Sequence, residues 1–217
     1  MLEPWIYPAL TAVAVLTGFI DAVAGGGGLI MLPALLFAGA SPIQALATNK
    51  LQSVFGTAVA TRNYARAGLV NWREHKLVIA FVFIGAVAGV LLVQSIDAQA
   101  LELMIPLLLI AVSLYVLFSP GMTEEDAQQR LSERGFAPVG GLIGFYDGFF
   151  GPGTGTLCTT SLVALRGYGL TRATALTKLL NFTSNVASVL FFALGGKMLW
   201  LLGLCMALGA MLGGWLG

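Results

Sequence analysis

Residues Leu77–Val93 and Leu103–Phe118 contain no charged side chain. Each approaches the ~20 residues that an α-helix needs to cross the hydrocarbon core of a bilayer. The rest of the chain points the same way, with 58% hydrophobic and 10% charged residues and a mean hydropathy of +0.89. Soluble domains carry roughly 25% charged residues, so an ordinary water-facing surface cannot be built from this composition. The expectation is an all-α integral membrane protein whose constant partner is the lipid bilayer. A net charge of +1 with no basic-aromatic patch gives nucleic acid nothing to hold. Met1-Leu2-Glu3-Pro4-Trp5 has no basic region ahead of its apolar run, so a cleaved secretory signal is not expected. Cys158 and Cys205 lack metal-ligand spacing and read as packing residues. His75 sits among Arg73, Glu74 and Lys76 and reads as interfacial. No cofactor, metal or catalytic residue is expected, and the chain does not read as an enzyme.

Two stretches resemble each other. Gly18-Phe19-Ile20-Asp21 runs into Gly25-Gly26-Gly27-Gly28, and Gly144-Phe145-Tyr146-Asp147 runs into Gly151-Pro152-Gly153, 126 positions on. Ala-x-x-Lys follows in both, ending at Lys50 and at Lys178. Gly68 and Trp72 recur as Gly196 and Trp200, 128 positions on. Interrupted apolar segments at matching places in two repeats point to a transporter's binding site.

Residues 6–24 read as a membrane helix ended by four glycines, and 29–38 as an apolar arm only half a bilayer long. Ser41, Pro42 and Gln44 open a helix reaching about Ala65. Helices near 75–94 and 99–118 follow. Residues 1–118 form the first repeat, and 119–135, rich in charge and bounded by Pro120-Gly121 and Gly135, a solvated connector. The second repeat, 136–217, has an arm near 137–150, a break at 151–155, a short arm to Leu165, a helix near 172–194 and another from Met198. It ends inside the counterpart of the 75–94 helix, so a partner for the 99–118 helix is absent. Gly85-x-x-x-Gly89 and Gly213-x-x-x-Gly217 read as close-packing faces.

Basic residues set the topology. Arg62, Arg66, Arg73 and Lys76 mark one loop as cytoplasmic, while in the second half Arg166 and Arg172 occupy the complementary loop. Inverted repeats with re-entrant broken helices are therefore favoured over parallel ones. Loops 62–76, 119–135 and 166–172 would face in, and the N-terminus and loop 39–42 would face out.

The Gly-Phe-x-Asp stretch with its glycine cluster, followed by Ala47-Thr48-Asn49-Lys50, resembles the TauE/SafE family of sulfite exporters. The run Lys178-Leu179-Leu180-Asn181-Phe182-Thr183-Ser184-Asn185 resembles its YfcA-type members in particular. The resemblance covers nearly the whole chain, which departs from the family in lacking the final helix. It implies a multi-pass protein of the bacterial inner membrane that moves sulfite, sulfonates or related small organic anions.

Lys50 and Lys178 should sit well inside the bilayer, where a charge costs at least ~2.5–3.5 kcal/mol and so demands a cavity or a partner. Asp21 and Asp147 face the same penalty. The plainer account of these four is two buried ion pairs that hold the repeats together. The functional account adds an oxyanion, met by backbone N–H groups at the breaks, chiefly Gly26, Gly27 and Gly153, with both lysines in contact. The aspartates are then charge partners or proton acceptors, and neutralising Asp21 should offset loss of Lys50. Asn49, Ser53 and Thr57 form one helical row, and Thr177, Asn181 and Asn185 match them 128 positions on. Asn49, Ser53, Thr177, Asn181 and Asn185 join the candidate site; Gln52, Thr48 and Ser184 are weaker members of the same kind. Helix–helix hydrogen bonding is the plainer reading of these rows. Secondary transport of a small anion is the leading function, an anion channel or a structural membrane subunit the alternatives, and a homodimer the candidate assembly.

Overall fold

The computed structural model describes residues 3–119 and 121–217. Its described residues form helices only: α1 Ile6–Ala24, α2 Gly28–Phe37, α3 Pro42–Arg66, α4 Lys76–Gln94, α5 Ala98–Leu117, α6 Glu133–Phe149, α7 Thr154–Ser161, α8 Leu170–Leu194 and α9 Trp200–Leu216. A 3-10 turn at Trp72–Glu74 precedes α4, and a π-turn at Leu162–Arg166 extends α7. Four helices, α1, α4, α5 and α8, have the length and hydropathy to cross a membrane.

Local chemistry fixes the element ends. The Ser41 N–H donates to the Gln44 side chain at 3.1 Å, and Pro42 occupies the first helical position of α3. Gly25 closes α1 in the left-handed region, φ 81°, its N–H reaching the carbonyls of Ile20 and Asp21. Ser132 caps α6 by accepting from the Gly135 N–H.

Small residues decide which helices touch. A Cβ at Gly85 would lie 2.9 Å from the Phe145 nitrogen, and one at Gly213 would lie 2.6 Å from the Phe19 nitrogen. These glycines let α4 press on α6 and α9 press on α1, as the two Gly-x-x-x-Gly faces foretold. Gly209 meets Thr11 while Gly213 meets Val15 and Phe19, so α1 and α9 run in the same direction. Gly85 meets Gly141 and Gly89 meets Phe149, so α4 and α6 do too.

The two ends of the bundle can be followed through shared surfaces. Ser41, Pro42, Gln94, Ile96, Gly195 and Lys197 line one cleft, placing the α2–α3, α4–α5 and α8–α9 connections together. At the opposite end His75 meets Glu133, with Nδ1 3.2 Å from the carboxylate. Thus α1 and α6 start from opposite ends, α3 and α8 are antiparallel, and α3 and α8 form the centre. Helix α5 is the least enclosed.

Three features add to the expectations. The connector's side chains are mostly exposed, but its backbone is docked rather than free. Ala127 N–H donates to Gly167 O and Leu131 N–H to Leu165 O, both at 2.8 Å, and Leu170 N–H donates to Thr123 O at 2.9 Å. Arg166 is not a loose loop charge. It is buried, donating to Leu131 O at 2.6 Å and to the Tyr168 hydroxyl at 2.8 Å, with Glu133 at 3.3 Å. His75, read as interfacial, lies at that same end of the bundle, buried against Glu133.

Candidate functional site

The two helix breaks meet backbone to backbone. A Cβ at Gly25 would lie 2.7 Å from Gly155 Cα, so no side chain fits between them. The Thr156 hydroxyl adds a bond to the Ala24 carbonyl at 3.4 Å. Beside this contact lies a small polar cavity of about 30 Å³. Lys50, Asn49 and Ser53 of α3 line one wall, Asn181 and Asn185 of α8 another, and Asp21 and Asp147 stand at the ends of α1 and α6. The floor is backbone, from Gly25, Gly28, Gly151, Gly153, Thr154 and Gly155.

The charges are paired across the repeats. Lys50 Nζ lies 2.7 Å from Asp147 Oδ1 and donates to Asn185 Oδ1 at 3.2 Å. Ser184 donates a second hydrogen bond to Asp147. Lys178 donates to the backbone carbonyl of Asp21, with the Asp21 carboxylate 3.9 Å away. The expected compensation of Lys50 by Asp21 is therefore corrected: the acid beside Lys50 belongs to the other repeat. Each aspartate lies in the last turn before its own break, and the breaks interlock, so each acid is delivered to the opposite lysine.

The backbone donors can now be sorted. At α2 the N–H groups of Leu29, Ile30 and Met31 already bond to Gly26 and Gly27 carbonyls. At α7 Thr154 N–H bonds to Gly151 O and Leu157 N–H to Gly153 O. Gly28 and Gly155, which line the cavity, have no backbone acceptor among the described residues. They sit at helix N-termini, where the dipole favours negative charge. Among the described residues no acceptor takes up the amide N–H groups of Asn49, Asn181 or Asn185, so the walls also present donors.

Of the residues singled out by sequence, Lys50, Asn49, Ser53, Asn181, Asn185, Gly153, Asp21 and Asp147 come together here. Lys178 does not line the cavity; it is fully buried with its ammonium on Asp21. Thr177 faces α7, accepting from the Thr159 hydroxyl at 3.0 Å. Gly26 is absent from the wall, and Gly27 lines a neighbouring void. Thr154 was missed; its hydroxyl donates to the Gly151 carbonyl across the break. The Tyr146 hydroxyl, which holds Pro152 O at 2.6 Å, gave no separable signal in an apolar run.

A family described as sulfite exporter TauE/SafE matches residues 10–217. The chain belongs to the TauE/SafE family. This TauE/SafE protein is 47% identical to the probable membrane transporter protein YfcA of Escherichia coli K12, over all of this chain and 81% of the relative. It is also 47% identical to a probable membrane transporter protein of Haemophilus influenzae, over 96% of this chain and 82% of the relative. A more distant relative, YunE of Bacillus subtilis, is 22% identical over 96% of this chain and 86% of the relative. No solved structure gives a significant match. With these relatives and its four long apolar helices, this TauE/SafE protein is a multi-pass membrane protein of a transporter family.

Proposed function

We propose that the chain is a secondary carrier of a small anion, sulfite, a sulfonate or a related organic anion, in a bacterial inner membrane. The observation that carries this reading is the cavity where the two breaks meet. Lysine, three asparagines and unbonded backbone N–H groups converge there beside the two aspartates that the lysines neutralise, and apolar helices surround it. The lysine, the asparagine amides and the N–H groups are donors, and an oxyanion is the ligand class that accepts from all of them. The description of the family, sulfite exporter, agrees with that chemistry.

The inverted-repeat reading is part of the proposal. It is supported by the opposite starting ends of α1 and α6, by the antiparallel α3 and α8, and by the gathering of loops 62–76, 119–135 and 166–172 at one end. A pseudo-two-fold axis in the membrane plane would pass near the Gly25–Gly155 contact, and rocking of one repeat on the other would alternate access to the cavity.

The test is a thermal-unfolding screen of the purified protein with sulfite, methanesulfonate, taurine and small carboxylates. A true ligand at 100 times its Kd should stabilise the fold by about 2.7 kcal/mol. If no anion shifts the transition and none is carried by proteoliposomes, the reading fails.

A further inference from the structure

A second void adjoins the first and is of opposite character. It is small, about 20 Å³, room for a single water-sized guest; it shares Asp21, Gly28 and Ser53 with the main cavity, and is lined further by Thr17, Gly27 and Gln52. The Gln52 side-chain amide donates to Asn49 Oδ1 at 3.1 Å and to Ser53 Oγ at 3.2 Å. That orientation turns Gln52 Oε1 away from these partners, and the oxygen, fully buried, has no donor among the described residues. An unpartnered buried acceptor is costly unless something positive meets it.

Asp21 has the same deficit. It lies in the last turn of α1, at the negative end of the helix dipole, where a carboxylate is disfavoured. Lys178 compensates it weakly, at 3.9 Å and chiefly through the backbone carbonyl, and the Asp21 side chain keeps 27% of its surface exposed. Asp147, in the equivalent last turn of α6, is 6% exposed and held by Lys50 at 2.7 Å.

The equivalent positions of the second repeat carry a different, mostly apolar lining. Ile143 stands for Thr17, Leu180 for Gln52, and Ser184 for Gly56. Ile143, Leu180 and Ser184 are all buried, and Ser184 spends its hydroxyl on Asp147. The set of a carboxylate, an amide oxygen and two hydroxyl-bearing residues around this void is not repeated at the equivalent positions, so packing symmetry does not explain it.

We propose that this void binds a sodium ion. The oxygens of Asp21, Gln52, Ser53 and Thr17 are the hard ligands that such a cation selects, and the carbonyl end of a broken helix is where transporters hold it. A proton on Asp21 could serve at most one acceptor of this set, whereas a cation can be met by the carboxylate, the amide oxygen and the hydroxyls together. Charge balance gives the ion a task. Lys50, Lys178, Asp21 and Asp147 sum to zero, so a monoanion in the main cavity leaves one uncompensated negative charge. A sodium ion on Asp21 restores neutrality and relieves Lys178 of its partner. The cation site stands on its own oxygens; its role as coupling ion rests on the anion-carrier reading.

The experiment uses the purified full chain at constant ionic strength, with sodium chloride replacing choline chloride and potassium chloride as a parallel arm. Expected is a saturable rise in Tm with sodium, absent with potassium. Gln52→Leu, which copies Leu180 of the other repeat, should lower sodium affinity at least tenfold while keeping the fold. Thr17→Val provides a second, milder variant, expected to lower sodium affinity by a smaller factor. Methanesulfonate, ionised throughout, should bind the wild-type protein at least fivefold tighter in saturating sodium, and Gln52→Leu should lose that gain. An equal response to potassium, or wild-type sodium affinity in Gln52→Leu, overturns the site. So does a methanesulfonate affinity that follows pH and ignores sodium, which assigns Asp21 to proton binding. Methanesulfonate binding without any sodium response leaves the anion reading standing and removes this one; sodium binding with no anion bound does the reverse.

Discussion

The two repeats build the same lysine–aspartate arrangement and finish it differently. Around Asp147 everything is closed: Lys50 at 2.7 Å, Ser184 donating, Asn185 steadying the lysine, and apolar Leu180 and Ile143 behind. Around Asp21 the lysine stands off at 3.9 Å, Gly56 takes the place of the serine, and polar Gln52 and Thr17 leave a void. Symmetry in sequence therefore does not carry over into symmetry of charge compensation. One acid is fixed and the other is available.

The comparison can be broken most decisively at the lysine. Lys50→Met strands Asp147, and breaking a buried pair typically costs about 3–5 kcal/mol, so thermal unfolding should fall steeply and anion flux into proteoliposomes should vanish. Adding Asp147→Asn should recover the folding without the flux; adding Asp21→Asn should not recover it. If Asp21→Asn rescues folding as well as Asp147→Asn does, the crossed pairing is wrong.

Next in size come the two acids compared directly. Asp147→Asn alone should destabilise by several kcal/mol, because Lys50 loses its only carboxylate. Asp21→Asn should cost about 1 kcal/mol or less, since Lys178 keeps the backbone carbonyl. Equal Tm losses would erase the distinction between a closed and an open repeat.

The breaks offer a smaller contrast. Gly25→Ala meets both a left-handed φ of 81° and the backbone of Gly155, and left-handed strain alone is worth roughly 1–2 kcal/mol. Gly26→Ala, with nothing within 4 Å and no positive φ, should shift Tm by under about 0.5 kcal/mol equivalent. Matching losses at both positions would show that the glycines serve flexibility and not contact.

Last is a test that leaves stability untouched. Arg66 and Arg172 are both exposed at the same end of the bundle. Arg66→Cys and Arg172→Cys should both react with an impermeant thiol reagent from the cytoplasm only. Labelling from opposite faces would defeat the inverted-repeat proposal.

Much of this was legible in the chain because lipid makes charge and glycine conspicuous. Asp21, Lys50, Asp147 and Lys178 stand out where charge is expensive, and helix bounds such as Ile6–Ala24 follow from glycine runs. Which acid meets which lysine was not legible. Both aspartates have nearly the same neighbours in sequence, and the choice is made by the interlocking of Gly25 with Gly155, a contact between residues without side chains. Lys178 and Thr177 shared every sequence property of Lys50 and Asn49, yet α7 and Asp21 claim them. Arg166 misled because an arginine near a helix end looks like a loop charge until the folded connector supplies its acceptors.

The crossed pairing between Lys50 and Asp147 also bears on biogenesis. When the ribosome has released the first 118 residues into the insertion machinery, the bilayer already holds an ammonium group whose carboxylate has yet to be synthesised. The nascent half must stay beside the translocon, or keep Lys50 hydrated, until α6 arrives. The second half, expressed alone, would strand Asp147 in the same way. Either half expressed alone is therefore expected to insert less stably than the two made together.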